Sequence, residues 1–219
     1  MPSESENSVQ TAKKIATCLQ SPDKKVRKQV FVDLQTFLSE NEFSNQELRN
    51  IFSETHMYTL NGFRDKTELV REQAIKFMSF FVIDKLPLND FYLTYVCPVL
   101  VERIGSVELI EESEEIRLEL VKFLQAIILK YSNSEQLKPF LGDCVVILCE
   151  MVKDKHPAIK ELSCRCVVDL AQALPRDFHM QAESLVKPIV SCFGHQRFRV
   201  RVEAVKAVGR WSREGVKGF

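Results

Sequence analysis

Apolar residues recur along the chain at helical spacing, in stretches that each follow a short polar turn. In one stretch Val70, Ala74, Phe77, Met78 and Phe81 are separated by three or four residues. This spacing predicts an amphipathic α-helix, because residues three and four apart share one face of a helix. The same spacing occurs in a second stretch, at Ile116, Leu120, Phe123, Leu124, Ile127 and Ile128.

The polar turn and the helix that follows it form a motif that occurs five times. Each copy has a β-branched residue, then an arginine or lysine, and then the apolar helix. The pairs are Val26-Arg27, Val70-Arg71, Ile116-Arg117, Ile159-Lys160 and Val200-Arg201. Their separations are 44, 46, 43 and 41 residues. Such a nearly constant spacing predicts an array of one repeated structural unit.

A further helical segment precedes each motif, so that each unit is predicted to be a helix, a turn and a second helix. A single helix pair cannot bury both of its faces, and neighbouring pairs must therefore stack. The predicted fold is an all-α superhelical solenoid of about five helix pairs. The segments ahead of the motifs are 9–19, 45–62, 91–104, 137–152 and 180–193.

The predicted array covers residues 9–211. The polar segment 1–8 is expected to be disordered, and residues 212–219 are expected to form a frayed or divergent tail. The predicted units are approximately 9–40, 44–86, 90–132, 136–175 and 179–211. An array that ends on an uncapped pair is also expected to expose an apolar edge.

The repeated motif resembles the HEAT repeat family, in which the second helix begins with Asp, a few variable residues and then Val-Arg. Asp65 and Asp154 match the Asp position, and Pro157 matches the family's Pro. The remaining three units depart from the family at the Asp position, where they have Ser21, Glu111 and His195. The resemblance implies a HEAT/armadillo-like array over nearly the whole chain.

A narrower resemblance covers residues 160–209. The run LAQALPRDFHMQAESLVKP is its most specific part, because the turns of HEAT repeats vary widely in sequence. This stretch resembles the N-terminal repeats of the dynein axonemal assembly factor 5 family. Members of that family are much longer, and the resemblance ends near Gly209. We therefore expect the chain to be a fragment or a short form of a longer protein.

The resemblance implies a non-enzymatic scaffold for the cytoplasmic preassembly of outer and inner axonemal dynein arms. The implied partners are axonemal dynein intermediate and heavy chains, together with chaperones and other assembly factors. A second hypothesis is a HEAT-type nuclear transport or nucleic-acid-associated adaptor, since HEAT arrays also occur in those roles.

The charge distribution bears on the second hypothesis. The chain has 30 basic and 30 acidic side chains, and this balance argues against a global attraction to nucleic acid or to a membrane surface. Residues 187–219 nevertheless hold eight Lys or Arg against two Glu, with Phe198 and Trp211 among them. This basic end is interpreted either as a nucleic-acid surface or as the face that an acidic neighbouring repeat covers. The glutamate-rich turn 108–115 is interpreted as a solvated loop at a helix start or as a docking site.

The repeated basic residues are the candidate functional side chains. They form either a structural ladder of ion pairs between turns or a surface for an acidic partner. The candidates are Arg27, Arg71, Arg117, Lys160 and Arg201, with Asp65 and Asp154 as acidic partners.

The sequence predicts no catalytic, cofactor or metal site. Cys164 and Cys166 are two apart on a predicted helix and point to different sides, so they cannot chelate one ion together. Cys192 and His195 have closer to ligand spacing, but no second pair completes four ligands. The four His provide no convincing pair of base and nucleophile. An odd number of cysteines, seven, within apolar patterns favours reduced thiols and a cytoplasmic location.

Overall fold

The computed structural model describes residues 4–181 and 183–216, with side chains described for 7–181 and 183–210. Within these residues the chain contains eleven α-helices and no strand. The chain divides into two compact units, Met1–Leu88 and Asn89–Phe219. The predicted all-α, HEAT-like helical-repeat class is confirmed.

The first unit contains two helix pairs. Its helices are α1 (Glu4–Thr17), α2 (Lys24–Glu40), α3 (Asn45–Asn61) and α4 (Glu68–Ser79), and a π-helical segment, Phe80–Lys85, continues α4. Helix α1 packs on α3, and α2 packs on α4. The first helices of the two pairs therefore form one layer, and the second helices form the other.

The second unit has the same two-layer order within itself. Its helices are α5 (Leu93–Ile104), α6 (Glu114–Lys130), α7 (Leu141–Met151), α8 (Pro157–Ala173), α9 (Pro175–Gln181), α10 (Glu183–Ser191) and α11 (Phe198–Val216). Helix α7 packs on α5 and α10, while α8 packs on α6 and α11. The predicted basic motifs lie at the starts of the second helices, next to the turns that precede them.

Local sequence determines where several of these helices start. Ser44 and Glu47 form a capping box, in which the Ser44 hydroxyl accepts the Glu47 backbone N–H and the Glu47 carboxylate accepts the Ser44 N–H. The Ser113 hydroxyl accepts the N–H of Ile116 at the start of α6. Pro157 occupies the first turn of α8, where its missing N–H leaves no helical hydrogen bond unmade.

The predicted apolar stripes form the core of each unit. The five residues of the α4 stripe, from Val70 to Phe81, are each at most 1% exposed. Those of the α6 stripe, from Ile116 to Ile128, are buried to the same extent. Among the five β-branched residues of the motif, Val26 differs, with 41% exposure.

Three helix ends lie outside the predicted unit bounds. Helix α1 begins at Glu4, within the segment 1–8 for which disorder is predicted. Each residue added to an existing helix gains one hydrogen bond, which favours this extension of α1. Helix α9 begins at Pro175, ahead of the predicted start at 179, since proline is well suited to a first helical turn. Helix α11 continues to Val216, beyond residue 211. The side chain of Trp211 and the end of the predicted tail, 217–219, lie outside the described residues.

Candidate functional site

One side chain in each of the five turns makes the same local hydrogen bond. It accepts the backbone N–H of the residue two positions later, at donor–acceptor distances of 2.7 to 3.2 Å. The accepting residues are Ser21, Asp65, Glu111, Asp154 and His195. The three departures from the family's Asp therefore retain its local role, because hydroxyl, carboxylate and imidazole groups can all accept a hydrogen bond.

The arginine of the motif binds its own turn through Nη1. Arg27 donates to the carbonyl oxygens of residues 21 and 22, both at 2.9 Å. Arg117 donates to those of residues 111 and 112 at 3.0 and 2.7 Å. Arg71 makes the first of these two contacts, with the Asp65 carbonyl at 2.9 Å. These bonds orient the guanidinium group, whose Nε and Nη2 atoms then form a separate donor edge.

In the first unit the donor edge of Arg27 binds the carboxylate of the following turn. The Nε atom lies 2.6 Å from Asp65 Oδ2, and Nη2 lies 3.0 Å from Oδ1. This two-point contact links α2 to the turn before α4. Burial raises the pKa of the Asp65 carboxyl, but the hydrogen bonds from Arg27 and from the Thr67 backbone outweigh it and hold that pKa below its ordinary value.

In the second unit Arg117 and Asp154 repeat this geometry in a more buried setting. Arg117 Nε lies 2.6 Å from Asp154 Oδ2, and Nη2 lies 3.3 Å from Oδ1. The two side chains are 7% and 2% exposed. Each of these two ion pairs therefore joins consecutive repeats, and neither leaves its arginine open to a partner.

The third turn contains an ion pair that the motif did not indicate. Glu111 is fully buried, and its Oε2 lies 2.6 Å from Nη2 of Arg103, a residue of α5. Arg103 lies outside the repeated motif, so sequence periodicity gave no signal for its role. Glu111 nevertheless occupies the position that Asp65 and Asp154 occupy in their turns.

The last two basic positions, Lys160 and Arg201, lack a carboxylate partner among the described residues. Lys160 donates from Nζ to the Val152 carbonyl at 3.0 Å, and His195 stands where a following Asp would pair with it. Arg201 donates from Nη1 to the carbonyls of residues 195 and 196 at 2.8 and 3.0 Å. A cleft of about 650 Å³ lies between the starts of α8 and α11, and its lining includes His156 and Phe198. Among the described residues, Lys160 and Arg201 therefore lack the carboxylate contact that Arg27 and Arg117 make.

The cysteines are reduced, and five of the seven are buried. Cys192 lies beside Lys160, and its thiol lies 3.7 Å from the Val152 carbonyl that Lys160 also contacts. Hydrogen bonding with Cys164 lowers the pKa of Cys192, and the same contact raises the pKa of Cys164. Within the described residues no group of three or more His, Cys, Asp or Glu is arranged to hold a metal ion. Of the helices in that same part of the chain, none is long and apolar enough to cross a membrane.

The lowered pKa of Asp65 predicts a loss of stability in acid. A carboxyl whose pKa is depressed on folding stabilises the native state above its unfolded pKa, and this contribution disappears as the pH falls through the folded pKa. We expect urea denaturation, followed by circular dichroism from pH 7 to about pH 2, to show this loss below the ordinary Asp value of 3.8. Asp65→Asn removes this part of the pH dependence, whereas Asp33→Asn, at an exposed carboxylate outside the pair, retains it. An Asp65→Asn variant with the parent's pH profile would contradict the assignment.

Comparison with known proteins gives a family match over most of the chain. Residues 18–217 match the family described as dynein axonemal assembly factor 5-like, TPR repeats. The dynein axonemal assembly factor 5 of Xenopus laevis is 30% identical over 192 residues, which are 88% of this chain and 22% of that protein. Its Drosophila melanogaster counterpart is 31% identical over 208 residues, which are 92% of this chain and 24% of that protein. The chain thus spans about a quarter of the length of these curated relatives.

Solved structures with a similar fold are helical-repeat proteins. An engineered protein of the Northeast Structural Genomics Consortium is 17% identical, with a TM-score of 0.60 over 92% of this chain and 79% of that one. The CEP104 TOG domain is 14% identical, with a TM-score of 0.52 over 99% of this chain and 88% of that domain. The family description mentions TPR repeats, but the 41 to 46 residue period of this chain exceeds the roughly 34 residues of a TPR unit and falls within the HEAT range.

Proposed function

The chain belongs to the dynein axonemal assembly factor 5-like family, and we propose that it is a non-catalytic protein-binding scaffold that takes part in the assembly of axonemal dynein arms. The observation that carries this proposal is the family match over residues 18–217. The relatives are named for dynein assembly, and their names motivate the role proposed for this portion. Stacked helix pairs suit such a role, since they offer an extended surface to large or partly folded clients.

The proposed clients are axonemal dynein intermediate and heavy chains, held in the cytoplasm before the arms are exported to cilia. Chaperones and other assembly factors are proposed as co-binding proteins. Arg27 and Arg117 are engaged in ion pairs between repeats. The proposed client surface therefore excludes these two guanidinium groups and includes Lys160 and Arg201, which have no carboxylate partner among the described residues.

A tagged capture experiment tests this function. The chain is used as bait in cytoplasmic extract from cells that are building motile cilia, and the bound proteins are quantified by mass spectrometry. We expect enrichment of axonemal dynein intermediate or heavy chains over a tag-only control. A full-length relative of the family serves as a parallel bait, so that failed extraction of dynein can be recognised.

The possible outcomes separate the hypotheses. If the full-length relative captures dynein chains and this chain does not, the scaffold role does not reside in these residues. If nucleic acid or nuclear import factors are enriched instead, and their binding weakens steeply with salt, the adaptor hypothesis replaces the proposal.

A further inference from the structure

The turn between α5 and α6 is longer than the other four turns that precede the repeated motif. It spans residues 105–113, whereas the others span 18–23, 62–67, 152–156 and 192–197. The additional residues lie ahead of Glu111, whose carboxylate accepts the hydrogen bond of this turn. Residues 105–110 separate α5 from Glu111, but only residues 62–64 separate α3 from Asp65. The third turn therefore contains an inserted segment that the other turns form without.

Residues 106–110, termed the third-turn loop, expose three apolar side chains within four positions. Val107, Leu109 and Ile110 are 87%, 58% and 43% exposed. Single exposed apolar side chains are ordinary on protein surfaces, but a run of neighbouring ones is typical of an interaction site. The inserted segment therefore carries an apolar patch that the fold does not bury.

The exposure of this patch does not result from the lack of a following repeat. The next helix pair is present, since α7 packs on α5 and α8 packs on α6. With both of these helices in place, Val107 remains the most exposed of the three side chains. A further repeat of the same kind would stack on later helices and not on the turn between α5 and α6.

Both ends of the third-turn loop are fixed to the adjacent helices. At its start, the Gly105 N–H donates to the Val101 carbonyl at 2.7 Å. At its end, Glu111 is fully buried and its Oε2 lies 2.6 Å from Nη2 of Arg103. Arg117 also donates to the carbonyls of residues 111 and 112. These contacts hold the loop in position and so reduce the conformational entropy that it would lose on binding a partner.

Acidic side chains surround the apolar patch. Glu108 lies within the loop and Glu112, Glu114 and Glu115 follow it, and all four are exposed. The two arginines of this turn are already engaged in buried ion pairs elsewhere. Among the described side chains, no Lys or Arg forms an ion pair with any of the four exposed glutamates. Their negative charge attracts basic segments and repels both acidic segments and anionic lipid headgroups.

We propose that the third-turn loop binds a basic amphipathic segment of a partner protein, in which Lys or Arg residues border an apolar face. The apolar face covers Val107, Leu109 and Ile110, and the cations meet the surrounding glutamates. This arrangement has the apolar centre and the charged rim that are usual for protein interfaces. The charges set the choice and orientation of the partner, while the apolar contact supplies most of the affinity.

A synthetic peptide with this chemistry tests the site. The probe is a fluorescein-labelled peptide of about 14 residues, with leucines on one helical face and lysines on the other. A second peptide has glutamate in place of every lysine. Fluorescence anisotropy measures the affinity of both peptides for the full chain and for two loop variants. These are the triple variant Val107→Ser/Leu109→Ser/Ile110→Ser and the double variant Glu108→Gln/Glu112→Gln.

We expect the lysine peptide to bind the parent chain, and we expect the triple variant to weaken this binding about tenfold, because it removes the apolar contact. The double variant should weaken binding about threefold at low salt and less at high salt, since salt screens the attraction between exposed charges. The glutamate peptide should bind the parent about tenfold more weakly than the lysine peptide, because like charges repel.

Two variants outside the loop serve as matched controls. Met57→Ser removes an apolar side chain of 69% exposure from α3. Glu40→Gln/Glu42→Gln removes two exposed glutamates near the end of α2. Both variants should retain the parent's affinity for the lysine peptide. Circular dichroism of every variant verifies that the chain remains folded.

Three results would overturn the site: no binding up to about 1 mM lysine peptide, equal affinity for the parent and the triple variant, or an equal loss in Met57→Ser. Vesicles of phosphatidylcholine and phosphatidylserine test the alternative of a membrane surface. Co-sedimentation that requires the three apolar side chains, without loop-dependent peptide binding, would replace the protein partner by a membrane.

The inference rests on the proposed scaffold function only for the partner's identity, and the peptide assay contains no dynein. Peptide binding that depends on the loop, without dynein capture by the parent chain, would support the site and reject the proposed function alone. Dynein capture by the parent, together with equal peptide affinities for the parent and the triple variant, would reject the site alone.

Discussion

Replacing Asp154 with asparagine is expected to lower the free energy of unfolding by about 3–5 kcal/mol. Asp154 and Arg117 form a two-point ion pair whose side chains are 2% and 7% exposed. Asparagine can still accept the His156 N–H, but it leaves the Arg117 guanidinium buried without a negative charge. The desolvation of that charge is then no longer offset by its partner.

Urea denaturation of the full chain at neutral pH, followed by circular dichroism, measures this loss. The control is Lys153→Gln, which removes an exposed ion pair with Glu150 at the neighbouring position and should cost at most about 1 kcal/mol. The double variant Arg117→Met/Asp154→Leu should be more stable than Asp154→Asn, because it leaves no unpaired buried charge. A loss for Asp154→Asn as small as that for Lys153→Gln would mean that water reaches Arg117 and that the pair contributes little.

The repeat period and the helix layers could be predicted because they depend on a pattern that recurs along the chain. Val70 and Ile116 each begin an apolar stripe, and the stripes that follow are buried as expected. The pairing of the charges is less visible in the sequence. Arg27 binds Asp65 across 38 residues and Arg117 binds Asp154 across 37, and a list of repeated motifs does not indicate which turn supplies the partner.

The substitutions at the Asp position explain why the candidate site could be predicted only in part. Glu111 departs from the motif, yet its longer side chain reaches both the Ser113 N–H and the guanidinium of Arg103. His195 keeps the hydrogen bond to the turn but supplies no carboxylate to Lys160. Residue type alone therefore does not distinguish a paired cation from an open one. The distinction depends on tertiary contacts, which give neither Lys160 nor Arg201 a carboxylate partner among the residues that the structure describes.

The end of α4 is a second feature that the periodic pattern concealed. The α4 stripe predicts a regular helix through Phe81, but the backbone N–H of Leu86 bonds to the carbonyl of Phe81, five residues earlier. The five-residue hydrogen bond of a π-helix replaces the four-residue bond of an α-helix. It therefore changes the direction in which the side chains point around the helix axis. The apolar pattern is compatible with this change, since Phe81 and Val82, within the π-helical segment, are both buried.

Phe81 gives the second large predicted effect, a loss of about 3–5 kcal/mol in unfolding free energy on replacement by alanine. Its side chain is 1% exposed and lies in a cluster of rings in the first unit. Its ring centre is 5.7 Å from that of Phe77 and 6.1 Å from that of Phe52. Phe77 in turn lies 5.9 Å from Phe31 of α2, so that the cluster joins three helices. Removing the central ring would leave a cavity that these rigid aromatic neighbours cannot fill without leaving their own packing.

The adjacent Phe80 is a matched control, because it has the same side chain and belongs to the same π-helical segment but is only partly buried. Its ring contacts the ammonium group of Lys85 at 5.5 Å, and Phe80→Ala should cost about 1 kcal/mol. Hydrogen exchange of the α3 and α4 amides should accelerate more in Phe81→Ala than in Phe80→Ala, since local opening depends on the cluster. Equal losses for the two variants would show that the π-helical segment itself, and not the ring cluster, stabilises this part of the unit. A larger loss for Phe81→Ala assigns the stability to the ring that joins the α3 and α4 cores.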